Sequence, residues 1–202
     1  MSIRPGRDWG GAGGLPPDAA VVATDADAAA VVAQAAGGAH PVVGLVGGDL
    51  CRTLGGRGDR AHLLAPDAPR LPVDVGWIRL DDGEERPFVA HVVARRRGWR
   101  GRVVAIMNAE RVGDWKLAPR AHPGDGRLDV LDGQLGLDQR LAARSRVRTG
   151  DHVPHPAIAE RRVRALEVDL GAAIPVRIDG VACGRARHLT VRVEPGGLTV
   201  VV

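Results

Sequence analysis

The sequence predicts an α+β protein with more β than α: an antiparallel two-sheet β domain over residues 71–202, preceded by a small α/β unit over residues 1–70. Three observations point there. From Pro72 onward, short apolar runs alternate with polar residues at the period of two that sends successive side chains to opposite faces of a strand. The apolar stock is Val, Leu, Ile and Ala, with no Tyr, one Phe and four Trp, and abundant valine favours strands. Before Pro72, strand-like and helix-like segments take turns, as they do in an α/β unit.

Residues Met1 to Pro17 are rich in Gly and Pro and read as irregular, with Trp9 as an anchor. Val21 to Ala23 makes a short strand. Thr24 then caps a helix whose first turn carries Asp25 and Asp27 at the positive end of the dipole, and Gly37-Gly38 ends it. Pro41 to Val46 is a buried strand, and Gly47 to Gly56 (GGDLCRTLGG) turns it into a second helix. A strand, a Gly pair and a helix can aim backbone N–H groups at a phosphate, which makes Gly47, Gly48 and Asp49 candidate cofactor-binding residues. The same pattern is an ordinary strand-to-helix turn.

Further on, Val73, Val75 and Trp77 alternate, as do Phe88, Ala90 and Val92, with the polar turn Asp81 to Glu85 between the two runs. Val103 to Met107 is a continuous apolar strand. Ala94 to Arg102 (ARRRGWRGR) joins it to the one before, as a solvated hairpin tip or as a loop whose Arg and Trp face phosphate or lipid. Asp138 caps a short helix from Gln139 to about Val147. Strands follow at Arg162 to Asp169, Val176 to Ile178, His188 to Val193 and Leu198 to Val202.

Net charge is a modest +4, carried almost wholly by arginine, since Lys116 is the only lysine. That balance does not call for nucleic acid, although an Arg-lined face suits phosphate or an anionic membrane surface. Cys51 and Cys183 lie far apart with no CxxC pair. The N-terminus has no apolar signal core, and no run reaches the length of a membrane span. Free thiols, a cytoplasmic location and at most a peripheral contact with a membrane are the expectations.

The densest cluster of chemistry is Leu117 to Asp132 (LAPRAHPGDGRLDVLD). A Pro-bounded loop runs into the turn Asp125-Gly126, and a strand then leaves through Leu128 and Val130. Asp125, Asp129 and Asp132 with His122 and Arg120 are more than a turn requires. A second Asp-Gly turn, Asp179-Gly180, precedes the closing strands.

Together these motifs resemble the diacylglycerol kinase family of lipid kinases, related in fold to the NAD kinases. The family's Ala-Pro-x-Ala and Asp-Gly-x-Leu-Asp are matched at Ala118, Pro119, Ala121, Asp125, Gly126, Leu128 and Asp129. Its Gly-x-His, Asp-Gly-Glu turn and closing strand-Pro-x-x-Leu-strand look like Gly150 with His152, Asp179-Gly180, and Glu194-Pro195 to Val202. Order and spacing agree over about the last 130 residues by a plain count. Upstream two alignments remain. Gly47-Gly48-Asp49 can start the nucleotide motif Gly-Gly-Asp-Gly-Thr, with Leu50 and Cys51 in place of Gly and Thr. Alternatively, Asp49 to Gly55 matches the later segment Asn-Asp-Phe-Ala-Arg-x-Leu-Gly, which agrees at more positions and places Pro72 to Leu80 on the family's Asp-x-Gly strand. On the second alignment the N-terminal unit is a remnant of a nucleotide-binding domain, and on either the ATP cradle is damaged.

The resemblance implies ATP-dependent transfer of a phosphoryl group to a lipid hydroxyl, Asp125 and Asp129 holding a magnesium–water network, and Asp125, Asp129 and Asp179 as catalytic candidates if the chain is active. It assigns the proton-accepting carboxylate to the Glu of Asp-Gly-Glu, where this chain has Val181. Valine neither accepts a proton nor binds a metal. Two readings follow: a catalytically degenerate member that binds a lipid headgroup, a nucleotide or a protein, or an active phosphotransferase with a rearranged site, completed in one version by a second copy in a homodimer. In GDHVPHP, Gly150 to Pro156, the prolines deny His152 and His155 a helical metal-ligand spacing, and no stoichiometric zinc is expected.

Overall fold

A computed structural model describes residues 9–35 and 40–202. Its strands are β1 (Gly11–Ala12), β2 (Ala20–Val22), β3 (Val42–Leu45), β4 (Pro69–Leu80), β5 (Arg86–Phe88), β6 (His91–Ala94), β7 (Arg102–Met107), β8 (Leu128–Gln134), β9 (Ile158–Val163), β10 (Ala165–Ile178) and β11 (Val181–Val201). The helices are α1 (Asp25–Gln34), α2 (Gly48–Thr53) and α3 (Leu137–Arg146). The expected α+β, β-rich class holds.

Hydrogen bonding runs unbroken through one sheet in the order β1-β4-β11-β10-β6-β7-β8-β9, with β5 on β4 and the pair β2–β3 beside β11. The two expected sheets are therefore joined, and the joint is β11. Its first half pairs with β10 and its second half with β4, and its last residues lie parallel to β3 (Thr199 opposite Val42). The segment Pro195-Gly196-Gly197, which reads as a break between two strands, is instead a register shift within one strand. A similar shift between Asp169 and Ile174 merges two expected strands into β10. Bulges let one strand bend from one layer to the other, so the sheet wraps around an interior.

Alternation then decides what each strand faces. Ile78, Phe88, Val92, Val104, Ile106, Val130, Val176 and Leu189 point inward and form the sandwich core. The opposite side of the same strands, Val93, Ala105, Met107 and Leu131, is covered by Leu117, Ala118, Ala121 and Val147. A separate cluster packs α1 and α2 against Val73, Val75, Leu198 and Val200.

Phe88, the only phenylalanine, is fully buried against Gly76, its partner across the β4–β5 hairpin. A Cβ on Gly76 would meet the Phe88 ring at 2.1 Å. Gly76→Ala is expected to cost about 1–3 kcal/mol by overpacking, read as a lower midpoint in urea unfolding. A loss below about 0.5 kcal/mol would show that the ring shifts freely.

The helix starts follow local chemistry. Thr24 accepts the Asp27 N–H at 3.1 Å and caps α1 as expected; the expected stop at Gly37-Gly38 lies outside the described residues. α3 begins one residue before Asp138, and its end is closed by Gln139, whose Oε1 accepts the Gly136 N–H at 2.9 Å. Asp138 therefore sits inside the first turn, where its charge still suits the dipole. Trp9 is the anchor its position suggests: its indole N–H donates to Pro72 O at 2.9 Å and its ring meets His122 edge-on.

Candidate functional site

The break between β5 and β6 positions the first group of residues. Val89 and Ala90 leave the ladder, and their N–H groups, with that of His91, donate to the Asp179 carboxylate at 2.8, 2.9 and 2.9 Å. Asp179 reaches them from the turn between β10 and β11. Asp179 and Gly180 have φ of 46° and 81°, and Ile178 pairs with Val181, so this is the two-residue turn that matches strand twist. Burial raises the pKa of Asp179 against these three N–H bonds. Its carboxylate is 7% exposed and engaged on both oxygens. It holds backbone, with three N–H groups shared over its two oxygens. Val181 beside it is about half exposed.

His91 links this turn to Asp49. Its Nε2 lies 2.9 Å from Asp49 Oδ2, and Arg52 and the Gly113 N–H complete the Asp49 carboxylate at 2.8 and 2.9 Å. Burial disfavours charge on Asp49, but the His91 and Gly113 bonds outweigh it and hold its pKa below the usual value. For His91, burial lowers and the Asp49 bond raises; the net shift is upward. The ring is 2% exposed and Nδ1 has no partner.

Gly47 and Gly48 form the turn into α2, and the group they cradle is the chain's own Asp25. Its carboxylate accepts the N–H of Asp49 at 2.6 Å and of Leu50 at 3.0 Å. Gly48 has φ of 93°, and a Cβ there would stand 2.4 Å from Asp25 Oδ1, so glycine is required twice over. Burial pushes the Asp25 pKa up to about 6.

A second buried carboxylate, Asp74 on β4, ties the acidic loop to this network. It accepts the Gly126 N–H at 2.6 Å and the Gly196 N–H at 2.9 Å. Asn108 donates to Asp74 O and Val89 O, both at 2.8 Å. Burial raises the Asp74 pKa to about 6. Asp125 and Asp129 come together as their spacing suggests, and both meet Arg162. This guanidinium bonds Asp125 and lies 3.6 Å from Asp129 Oδ1, because Arg162 on β9 is the direct cross-strand partner of Asp129 on β8. Asp129 Oδ2 is buried without a partner, and burial raises its pKa to about 6. A magnesium ion between these carboxylates would have to displace the guanidinium, so the pair fits that ion poorly as arranged. Among the described residues no three His, Cys, Asp or Glu side chains converge as a metal-binding group.

The sequence candidates thus fall into two groups: Asp49 and Asp179 on either side of His91, and Asp125 with Asp129 on Arg162. Asp25, Asp74, His91, Asn108 and Arg162 complete the network without having stood out as site residues. Only Asp74 carried a signal, its place in the Asp-x-Gly of PVDVGW.

A third feature lies on the outer face of β7 and β8. There α3 roofs a cavity of about 330 Å³ lined mainly by apolar side chains, with Trp99 and Trp115 in its wall at 5.0 Å between ring centroids. His152 lines it too. No described helix is long and apolar enough to cross a membrane.

Comparison with solved structures returns the same fold. A protein from Bacillus anthracis str. Sterne assigned as a diacylglycerol kinase superposes with a TM-score of 0.61 at 15% identity, over 80% of this chain and 68% of that one. A second structure from that organism gives 0.58 at 14% identity, over 80% and 69%. At these identities the likeness is one of fold. A search of curated protein sequences found no match. The profile of one family, described as the YegS C-terminal NAD kinase beta sandwich-like domain, matches residues 79–202. These residues include β5 to β11, the Asp179-Gly180 turn and the Asp125–Asp129 loop, and by them the chain belongs to that family.

Proposed function

We propose that the protein is a family member that does not transfer phosphate and instead binds an amphipathic lipid, at or near a bilayer surface. The solved structures it resembles are described as diacylglycerol kinases, which by name act on a lipid. The observation that carries the non-phosphorylating half is the Asp25 carboxylate on the Asp49 and Leu50 N–H groups. A nucleotide phosphate brought to the Gly47-Gly48 turn meets a fixed anion. Two unit charges 4 Å apart repel by roughly 4 kcal/mol at an effective dielectric of 20, about three decades in affinity. The reading also draws on Val181, where no carboxylate stands near an acceptor hydroxyl, and on Arg162, which neutralises Asp125 and Asp129 in place of a metal. The apolar cavity under α3 supports the lipid half.

The test is an assay with radiolabelled ATP and diacylglycerol in mixed micelles, with magnesium, beside a competent lipid kinase. Neither wild type nor Val181→Glu is expected to incorporate phosphate. A general base is worth about 10²–10⁴-fold only when the reacting groups are already held. Activity in wild type that disappears in Asp125→Ala overturns the proposal. Activity confined to Val181→Glu shows that the phosphate cradle works.

A further inference from the structure

The cavity under α3 has chemistry of its own. Its floor is made by the outward-facing residues of β7 and β8, among them Val103, Ala105 and Leu131. Its roof is α3, no residue of which is buried. Leu137 and Leu141 line the cavity, one turn apart on one helix face, yet are 64% and 62% exposed. Such an apolar stripe on a globular protein is normally covered. The polar groups present are of one kind. Arg100, Arg140 and Arg144 line the space, and no Asp or Glu does. None of the three arginines is in an ion pair among the described residues, and Arg140 Nε is buried without a partner. His152 is 6% exposed, and neither ring nitrogen makes a hydrogen bond of normal geometry, the Leu117 backbone lying near but out of line. Buried polar atoms are ordinarily satisfied, so an orphaned imidazole and an orphaned guanidinium nitrogen in one apolar cavity mark a missing ligand.

We propose that this cavity binds a single-chain anionic amphiphile, its alkyl chain between α3 and the β7–β8 face and its carboxylate or phosphate head on the arginines. The inference rests on the lipid-binding reading and narrows it. Apolar walls and an arginine rim without acidic neighbours select an anion with one apolar tail. The volume favours one chain: at about 330 Å³ the cavity lies at the low end of the range of ligand pockets. A diacylglycerol brings two chains and a neutral head, and suits neither feature. The head can come from a free fatty acid or from a lysophospholipid, since both present one chain and an anion.

The protein is titrated with octanoate to hexadecanoate below their micelle concentrations, followed by calorimetry and by the fluorescence of Trp99 and Trp115. Affinity is expected to rise by about fourfold per added methylene, at ~0.8 kcal/mol each, and to level off once the chain fills the cavity. Dodecyl phosphate and a dodecanoyl lysophosphatidate separate the two sources: equal affinities mean the head alone is read, and a tighter lysophosphatidate means a lipid headgroup is. Either result supports the site, whereas dodecyltrimethylammonium, dioctanoylglycerol and inorganic phosphate should each bind at least tenfold more weakly. Leu141→Asp, and Arg100→Gln combined with Arg144→Gln, change exposed side chains and should keep the fold by circular dichroism while weakening dodecanoate at least tenfold. Equal binding of cationic and anionic chains, or no effect of these variants, overturns the proposal and leaves lipid binding elsewhere intact. If no lipid or anionic vesicle binds at all, the lipid-binding reading falls with it. Phosphoryl transfer in the ATP assay would refute only the non-phosphorylating half.

Discussion

Asp179→Ala is expected to lower the free energy of unfolding by about 3–6 kcal/mol. The carboxylate accepts N–H groups from Val89, Ala90 and His91, all buried. An unsatisfied buried donor costs about 1–3 kcal/mol, and alanine leaves three at once. A second cost comes from the backbone, since φ at Asp179 is 46° and a Cβ-bearing residue without a polar side chain pays about 1–2 kcal/mol there. Asp179→Gly separates the two: it removes the strain but not the loss of acceptors, and should recover about 1 kcal/mol of the deficit. Urea unfolding of the three proteins measures this. If Asp179→Ala loses less than about 1 kcal/mol, the carboxylate is free for another role, and Asp179 returns as a catalytic candidate.

Acid should stabilise the fold. Asp25, Asp74 and Asp129 each have a pKa of about 6 in the folded protein against an ordinary 3.8, chiefly through burial. Between pH 4 and 6 the unfolded chain has released these protons while the folded chain still holds them. Stability from each group is therefore complete below about pH 4 and is lost as pH rises through 6. A two-unit shift is worth ~2–3 kcal/mol per carboxyl. His91, raised above its usual value, acts in the same direction at higher pH, while Asp49, lowered, opposes it on the acid side. The thermal midpoint should fall from pH 5 to pH 7.5. Asp129→Asn should flatten part of that slope, because the oxygen it replaces has no hydrogen-bond partner. A midpoint that rises over this range would mean that the three carboxylates are ionised at little cost, and that water reaches them.

The functional contrast between the two networks follows from these numbers. Asp25, Asp49, Asp74 and Asp179 are spent on backbone N–H groups, His91 and Arg52, and they hold the acidic loop, the closing turn and α2 together. On the non-phosphorylating reading proposed above, carboxylates engaged in this way keep the family's frame and do not act as reacting groups. Unmet polar atoms also lie at the α3 cavity, on the other side of β8.

Much of the frame was legible in the residues themselves. Alternation located β4, a continuous apolar run located β7, strand-like runs located the ends of β10 and β11, Thr24 marked the start of α1, and Asp179-Gly180 is the turn that its dipeptide favours. These signals are local, set by side-chain period, capping and positive φ within a few residues. The Asp125–Asp129 loop was also visible, because its motif is continuous along the chain. What only the tertiary structure decided were the partners. Asp25 reads as a first-turn helix residue, and its hold on Asp49 spans 24 positions; Arg162 reads as a surface strand residue until β9 lies beside β8 and sets it opposite Asp129. His91 meets Asp49 across 42 positions. The bend in β11 likewise depends on which strands pair with each half, so two expected strands became one. Local conformation is dictated by neighbours in sequence, whereas a buried charge takes whichever donor the packed fold brings within hydrogen-bond reach, and that donor leaves no mark on the residues around it.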